Sequence, residues 1–224
     1  MHLSEIKQKI PSKIFDVLKK EIDILRPVQK KSIQKGILDG RSLLICTPTA
    51  SGKTLCGELA FTRSIMESIG KAIYIVPLKA LASEKYKDFK AKYPFFKTAL
   101  SIGDMDKSDS YLAGYDLIIC TSEKLDSLIR HHTPWIKDVK TVVIDEIHLI
   151  NDPGRGPTLE ILITLLKEIL PEIQIIGLSA TIGNPKELSE WLDAQLVEDD
   201  WRPIKKKKGL YHNNQIEFFE NKGY

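Results

Sequence analysis

The stretch ICTPTASGKT, from Ile45 to Thr54, decides how the rest of the chain is interpreted. It ends in Gly-Lys-Thr, as does the phosphate-binding loop G-x-x-x-x-G-K-[ST] that links a strand to a helix. Thr47 stands where that pattern has its first glycine. Gly-Lys-Thr alone would also fit a turn before a helix. However, an apolar run precedes this stretch and a helical pattern follows it. The sequence therefore predicts a phosphate site with one substitution in its loop.

Five short apolar runs predict a sheet that is buried on both faces. They do not alternate apolar with polar residues, which is typical of parallel strands covered by helices. The runs lie at 42–46, 72–76, 117–120, 142–144 and 173–178, and helical patterns separate them at 54–69, 78–91, 123–130, 158–170 and 185–192. Asn184 is expected to cap the last helix. Strand and helix in repeated alternation predict an α/β fold, with an open, mostly parallel sheet and helices on both faces.

The chain divides into three parts by pattern. Residues 1–40 are expected to form a helical segment, with helices at 12–20 and 27–38, and residues 41–200 to form the sheet domain. Residues 201–224 have no helical period and could form one or two strands. They are expected to be a linker toward a further domain that lies outside this chain.

Composition and charge exclude several classes of protein. The net charge of +3 permits a nucleic-acid partner without requiring one. The three cysteines are too few for a disulfide framework and share no metal-ligand spacing with the histidines, so a reducing, cytoplasmic location is expected. No apolar run approaches a membrane span, and the N-terminus lacks the apolar stretch of a signal peptide, so no membrane association is expected.

The residues after the first run predict contacts to a bound nucleotide, because ligands of open α/β sheets bind beyond the carboxyl ends of the strands. Backbone N–H groups of such a loop favour phosphate oxygens. Lys53 would reach the β and γ phosphates, and the Thr54 hydroxyl would bind Mg²⁺. Gln29 is a further candidate, since its amide can match an adenine edge; a solvent-facing glutamine is the alternative. The predicted nucleotide contacts are Gln29, Thr49, Ala50, Ser51, Gly52, Lys53 and Thr54.

Two later strand ends add acidic and hydroxyl groups. The run at 142–144 is followed by DEIH, in which Asp145 would hold Mg²⁺ and Glu146 would deprotonate the attacking water. His148 could be a surface histidine or a polar link to a neighbouring loop. The run at 173–178 leads into Ser179-Ala-Thr181, whose hydroxyls could bond to His148 or to the acidic pair; a simple turn is the alternative. Lys53 and the acidic pair are expected to converge at neighbouring strand tips.

Two other strand ends carry residues suited to a phosphate backbone. One begins PLKALASEKY, with Pro77 and Lys79, and the other begins TSEKLDSLI, with Thr121, Ser122 and Lys124. Helix N-termini with hydroxyls and a lysine can bind sugar-phosphate without reading bases. Ordinary capped helices with solvated lysines are the alternative.

These motifs together resemble those of superfamily 2 helicases. PTASGKT, PLKALASEKY, TSEKLDSL, DEIHLI, Arg155-Gly156 and LSATIGN stand in the order of motifs I, Ia, Ib, II and III, and Gln29 matches the Q motif. The motif sequences are similar to those of the Ski-like branch, especially the archaeal Hjm-type DNA repair helicases, in which PTASGKT is the customary motif I. The resemblance covers residues 20–204.

The resemblance implies a RecA-like P-loop NTPase domain that uses ATP and Mg²⁺. It would be the N-terminal motor lobe of a DNA repair helicase that moves 3′ to 5′ on single-stranded or branched DNA. Catalysis would involve Lys53, Asp145 and Glu146, with Thr54 and Asp145 on the metal. The remaining implied roles are coupling for His148, Ser179 and Thr181, and nucleic-acid contact for Pro77, Lys79, Thr121, Ser122, Lys124 and Arg155.

The family also has a second RecA-like domain with an arginine finger, which can be worth about 10³–10⁵ in rate in related NTPases. We therefore expect this chain alone to bind ATP, to hydrolyse it slowly and not to unwind a duplex. An RNA helicase of the same branch remains open, because no residue here can be assigned to a 2′-hydroxyl. A GTPase is disfavoured because no N-K-x-D motif follows a strand, and a kinase because the region after LSATIGN offers only Arg202 for a lid. A binding module without activity is disfavoured by the intact lysine and acidic pair.

Overall fold

A seven-stranded parallel sheet forms the centre of the protein, in a computed structural model that describes residues 1–103, 109–204, 209–212 and 215–218. The strands are β1 (Leu43–Cys46), β2 (Lys71–Val76), β3 (Thr98–Ser101), β4 (Leu117–Thr121), β5 (Val139–Ile144), β6 (Gln174–Ser179) and β7 (Gln195–Glu198). They lie in the order β3-β4-β2-β5-β6-β1-β7, and every pairing is parallel. The prediction of an open α/β sheet is confirmed.

Helices cover both faces of the sheet, as predicted. They are α1 (Ser12–Leu18), α2 (Pro27–Gln34), α3 (Lys53–Met66), α4 (Lys79–Lys92), α5 (Ser122–Arg130), α6 (Gly156–Ile169) and α7 (Pro185–Leu192). Successive side chains of a strand point to opposite faces. Ile45 and Tyr74 therefore lie in one core with α1 to α4, whereas Leu44 and Ile73 lie in the other with α5 to α7. Near-complete burial on both faces explains why the central strands read as continuous apolar runs.

Two strands have no counterpart among the predicted apolar runs. These are β3 and β7, which form the two edges of the sheet. In β7 only Val197 is buried, and β3 places polar Thr98 and Ser101 among its four residues. The edge strand β7 is covered less completely than a central strand, and buried polar residues interrupt the apolar pattern of β3, so neither sequence carries the continuous apolar signal.

The N-terminal segment is helical but shares its core with the sheet domain. A 3-10 helix (Leu3–Lys9) precedes α1, and a second one (Ile37–Asp39) follows α2. The buried side chains of Leu3 and Ile14 belong to the same cluster as those of α3. The Lys31 ammonium donates to the Glu198 carbonyl at 2.8 Å, which ties α2 to β7. Residues 1–40 therefore complete one face of the sheet.

The last described residues form the antiparallel strands β8 (Gly209–His212) and β9 (Gln215–Phe218), which pair with each other. The rest of the predicted linker after residue 204 lies outside the described residues. Within the described ranges, no helix combines the length and apolarity needed to cross a membrane. Asn184 occupies the N-cap position of α7, as predicted, but its side chain makes no capping bond to the backbone, and its amide donates to Glu187 Oε2 at 3.1 Å.

Candidate nucleotide-binding site

The loop between β1 and α3 is shaped by two residues with positive φ. Ala50 has φ +64° and Gly52 has φ +92°. A side chain at residue 52 would be strained at this φ, and its Cβ would lie 2.6 Å from Gln29 Nε2. Thr47, in the place of the usual glycine, bonds through its hydroxyl to Ser51 Oγ at 2.7 Å. The substitution thus closes the loop with a side-chain bond instead of relying on glycine's freedom.

Gln29 holds this loop with its own amide. Its Oε1 accepts from the Arg26 backbone N–H at 2.8 Å, at the start of α2, and its Nε2 donates to the Gly52 carbonyl at 3.1 Å. The Arg26 guanidinium donates to the Ala50 carbonyl at 2.7 Å and lies over the Trp201 ring, 5.6 Å from its centroid. Gln29 is buried rather than solvent-facing. Its predicted match to an adenine edge would involve an amide that already connects α2 to the loop.

Lys53 and Glu146 lie in contact although 93 positions separate them in sequence. Lys53 Nζ is 3.3 Å from Glu146 Oε1 and 3.4 Å from Oε2. The strand tips that carry them are not adjacent, contrary to the expectation, because β6 lies between β1 and β5. A strand spacing of about 4.8 Å puts these tips roughly 10 Å apart. The long lysine side chain crosses this gap at the carboxyl edge of the sheet.

Asp145 is a buried carboxylate held by two donors. The Glu146 backbone N–H donates to its Oδ1 at 3.1 Å, and the Tyr74 hydroxyl donates to its Oδ2 at 3.0 Å. Burial, followed by the nearby charge of Glu146, raises the pKa of Asp145 above its ordinary value. A nearby cation would favour the ionised form. Magnesium binds through one or two carboxylates together with phosphate oxygens and water. Asp145, with the Thr54 hydroxyl at the start of α3, therefore fits an ion whose remaining ligands come from the nucleotide. In the part of the chain that the structure describes, no three acidic, His or Cys side chains cluster as a protein-only metal site.

Glu146 adopts a left-handed conformation with φ +51°, which is uncommon for a residue with a side chain. The 3-10 helix Ile147–Asn151 begins directly after it. His148 Nδ1 lies 3.3 Å from Glu146 Oε2 and 3.5 Å from the Ala180 backbone nitrogen. His148 Nδ1 can accept a hydrogen bond from the Ala180 N–H or, when protonated, donate one to Glu146. His148 therefore connects the acidic pair to the end of β6.

The hydroxyls of Ser179 and Thr181 do not form the predicted hydrogen bonds to His148 or to the acidic pair. Ser179 Oγ donates to the Ala180 carbonyl at 2.8 Å, and Thr181 is exposed. The connection to His148 uses the Ala180 backbone N–H instead. The Ser179 carbonyl accepts from the Thr47 N–H at 3.2 Å, so this segment also contacts the phosphate loop. Their coupling role stays a prediction.

The predicted nucleic-acid residues differ in exposure. Lys79 is exposed at the start of α4, Pro77 and Arg155 are half-buried, and Ser122 is buried; these last three line a small cavity beside Glu146. Gly156, next to Arg155, has no room for a side chain, since a Cβ would lie 2.1 Å from the Ile150 carbonyl oxygen.

Lys124 and Thr121 occupy different surroundings. Lys124 is 1% exposed, and its ammonium lies 2.9 Å from Asp109 Oδ2. In this conformation the ammonium is buried in an ion pair rather than presented to a nucleic acid, and the contact of Lys124 with nucleic acid stays a prediction. Thr121 Oγ1 accepts from the Lys124 N–H at 3.4 Å and caps α5, which is the ordinary-helix alternative.

All three cysteines are free and buried. Desolvation raises the pKa of Cys46 to about 11 and that of Cys56 and Cys120 to about 12. Cys46 in β1 and Cys120 in β4 therefore pack as small buried apolar side chains.

The phosphate loop leads into a helix, and the acidic pair lies within reach of the loop lysine. Both lie at the carboxyl edge of a parallel sheet, and together they define a RecA-like P-loop NTPase fold. The chain belongs to the DEAD/DEAH box helicase family, whose sequence model matches residues 26–188. This finding confirms the helicase resemblance.

Individual known proteins show which members of this family the chain resembles. The chain is 58% identical over 215 residues to ATP-dependent DNA helicase Hel308 of Methanocaldococcus jannaschii, covering 92% of this chain and 18% of that protein. It is 50% identical to Hel308 of Pyrococcus abyssi, covering 96% of this chain and 30% of that protein. Among solved structures, DUF1998 helicase MrfA bound to DNA superposes with a TM-score of 0.75 at 32% identity, over 86% of this chain and 30% of the other. The chain thus spans less than a third of the length of these relatives.

Three residues that shape the site were not identified from the sequence: Arg26, Tyr74 and Asp109. Arg26 and Asp109 carry no local signal, since each acts on a residue distant in sequence. Tyr74 is different, because it is a polar-tipped side chain inside the apolar run AIYIV. A buried tyrosine hydroxyl usually needs a partner.

Proposed function

We propose that this chain is the N-terminal ATP-binding motor lobe of an ATP-dependent DNA helicase that acts in repair or recombination in the cytoplasm. The observation that carries the proposal is the contact between Lys53 and Glu146 beside the buried carboxylate of Asp145. These groups sit where the loop N–H groups and the start of α3 would receive phosphates.

Each residue of the site has a distinct task in this proposal. Lys53 leaves Glu146 and binds the β and γ phosphates, which frees the Glu146 carboxylate to accept a proton from the attacking water. Asp145 and Thr54 hold Mg²⁺, which neutralises charge on the phosphates when bound. The other loop residues, Thr49, Ala50, Ser51 and Gly52, cradle phosphate oxygens through their backbone. Gln29 keeps the loop in place and contributes to adenine recognition.

The nucleic acid would lie across the same edge of the sheet. Exposed Lys79 and the cavity-lining Pro77, Ser122 and Arg155 would contact its backbone, with Thr121 acting through α5. His148, Ser179 and Thr181 would couple nucleotide binding and hydrolysis to movement of the nucleic acid. A second RecA-like lobe would supply the arginine finger, and the pair of lobes would move 3′ to 5′.

DNA is the proposed substrate because the relatives include proteins named DNA helicases and a helicase solved with DNA bound. RNA is the competing candidate. In a full-length protein that carries this lobe, ATPase stimulation by single-stranded DNA should exceed that by RNA of the same length and sequence. Stronger stimulation by RNA would overturn the assignment of substrate.

Nucleotide binding by the chain itself is the direct test of the site. Titration with a fluorescent ATP analogue and Mg²⁺ should give saturable binding that Lys53→Ala weakens by about tenfold or more. Lys87→Ala, which changes an exposed lysine of α4, is the matched control. Equal affinity of the Lys53→Ala variant and the wild type would remove the phosphate loop from the proposal.

A further inference from the structure

Tyr74 connects the hydrophobic core to the site from a strand that contributes no predicted nucleotide contact. It lies in the middle of β2 and is fully buried, and its hydroxyl donates to Asp145 Oδ2 at 3.0 Å. We propose that Tyr74 is a positioning residue that orients the Asp145 carboxylate toward Mg²⁺. This inference rests on the proposed nucleotide site.

Strand register places the hydroxyl at the carboxylate. Tyr74 pairs with Val143 in the parallel β2–β5 ladder, and the Asp145 N–H donates to the Ile75 carbonyl at 2.8 Å. Asp145 is two residues beyond Val143, so it lies on the same face and about 6.6 Å farther along the strand. A tyrosine side chain is long enough to span this distance along the sheet.

The Tyr74 hydroxyl is a suitable hydrogen-bond donor to a carboxylate that binds a metal ion, as is proposed for Asp145. A carboxylate has about four lone-pair sites, and Tyr74 occupies one on Oδ2 while the Glu146 N–H occupies one on Oδ1. The remaining sites can face the metal. A neutral phenol fixes the carboxylate without cancelling the negative charge that attracts Mg²⁺, whereas a lysine in that place would compete with the ion. Hydrogen bonds of this kind orient metal ligands in other proteins.

The ring itself is held from two sides. Its centroid lies 5.1 Å from that of Phe89 on α4 and 6.4 Å from that of Phe61 on α3, both in edge-to-face geometry. Gly57 allows α3 to lie close to β5 and to the Tyr74 ring, since a Cβ there would be 2.8 Å from Val143 Cγ1 and 3.5 Å from Tyr74 Cε2. Close packing leaves the hydroxyl little freedom, so the carboxylate it bonds is held in one orientation.

Tyr74→Phe tests the proposal by removing a single oxygen atom. Tyr93→Phe is the matched control, because Tyr93 is also buried and packs against Phe61, with a centroid distance of 6.0 Å. The Tyr93 hydroxyl donates to Glu58 Oε2 at 2.6 Å and not to Asp145. Both variants lose a buried hydroxyl, but only one of them loses the bond to the proposed metal ligand.

The measurement is the affinity of the chain for fluorescent ADP over a series of Mg²⁺ concentrations and in EDTA. For Tyr74→Phe we expect the half-saturating Mg²⁺ concentration to rise roughly tenfold, with the affinity in EDTA unchanged within about twofold. Tyr93→Phe should keep the wild-type Mg²⁺ dependence, even where its unfolding temperature falls.

Two outcomes would overturn the inference while leaving the nucleotide site intact. One is a wild-type Mg²⁺ dependence in Tyr74→Phe, and the other is an equal shift in both variants, which would indicate general loosening of the core. Absence of ADP binding to the wild-type chain would instead refute the proposed function itself. If Tyr74→Phe does not fold, ¹³Cζ-tyrosine NMR of the wild type replaces it. The Tyr74 resonance should then move when Mg²⁺ is added to the ADP complex, and an unmoved resonance would refute the inference.

Discussion

Replacing Glu146 with glutamine should strengthen nucleotide binding, although it removes the proposed catalytic base. The Lys53 ammonium lies 3.3 Å and 3.4 Å from the two Glu146 carboxylate oxygens. Phosphates must therefore draw the lysine away from an existing partner. Glutamine keeps the size of the side chain but removes this charge, so Lys53 is available to the phosphates from the start.

The size of the effect follows from the geometry. Two unit charges at this separation attract by about 1 kcal/mol in water and about 5 kcal/mol at an effective dielectric constant of about 20. Side-chain exposures of 10% for Lys53 and 31% for Glu146 place the pair between these limits. Solvation of the separated groups offsets most of the attraction, which leaves a net value of about 1 kcal/mol. That corresponds to an ATP dissociation constant about fivefold lower in Glu146→Gln.

Isothermal titration of the chain with a non-hydrolysable ATP analogue and Mg²⁺ measures this change. Glu160→Gln, which neutralises an exposed carboxylate of α6, should leave the affinity unchanged. Turnover by the two-lobed protein should nevertheless fall about 10²-fold or more in Glu146→Gln, because its water would lack a base. An unchanged or weaker affinity in Glu146→Gln would refute the idea that Lys53 must exchange partners.

Three further perturbations test other parts of the structure. Gly52→Ala should abolish the stabilisation of the chain by Mg-ADP in thermal unfolding, because φ +92° and Gln29 Nε2 at 2.6 Å exclude a Cβ; normal stabilisation would contradict this loop geometry. Raising the pH above the ordinary thiol pKa of 9.0 should lower the free energy of unfolding, since burial raises the pKa of Cys56 to about 12 and the unfolded chain loses its thiol protons first. Urea titrations at about pH 8 and about pH 10.5 should show a smaller loss in Cys56→Ala, and an identical loss would exclude a contribution from this thiol. Lys124→Met should destabilise the chain by about 2–3 kcal/mol in urea. It should leave the salt dependence of DNA binding by the full-length protein unchanged, whereas loss of a phosphate contact would reduce the slope of log affinity against log salt concentration by about one.

Much of the fold could be predicted because the signals are local. The apolar runs that became β1, β2, β4, β5 and β6 are buried on both faces, so each carries its own evidence. The same holds for the loop before α3, where Gly52 and Lys53 stand between a strand and a helix. Edge strand β7 buries only Val197 and could not be recognised in this way. Lys124 looks like any lysine at the start of a helix, and nothing in its neighbours predicts its burial against Asp109.

The sequence by itself determined which side chains stand at the ends of strands, and therefore that Lys53 and Asp145-Glu146 belong to one edge of the sheet. Only the tertiary structure decided that β6 separates β1 from β5, that Tyr74 holds Asp145, and that Gln29 holds the phosphate loop. The physical reason is the range of the interactions. Burial and turn geometry act between neighbours in the chain and leave a periodic trace there. A hydrogen bond between Tyr74 and Asp145 depends on strand pairing across 71 positions, which no local period encodes.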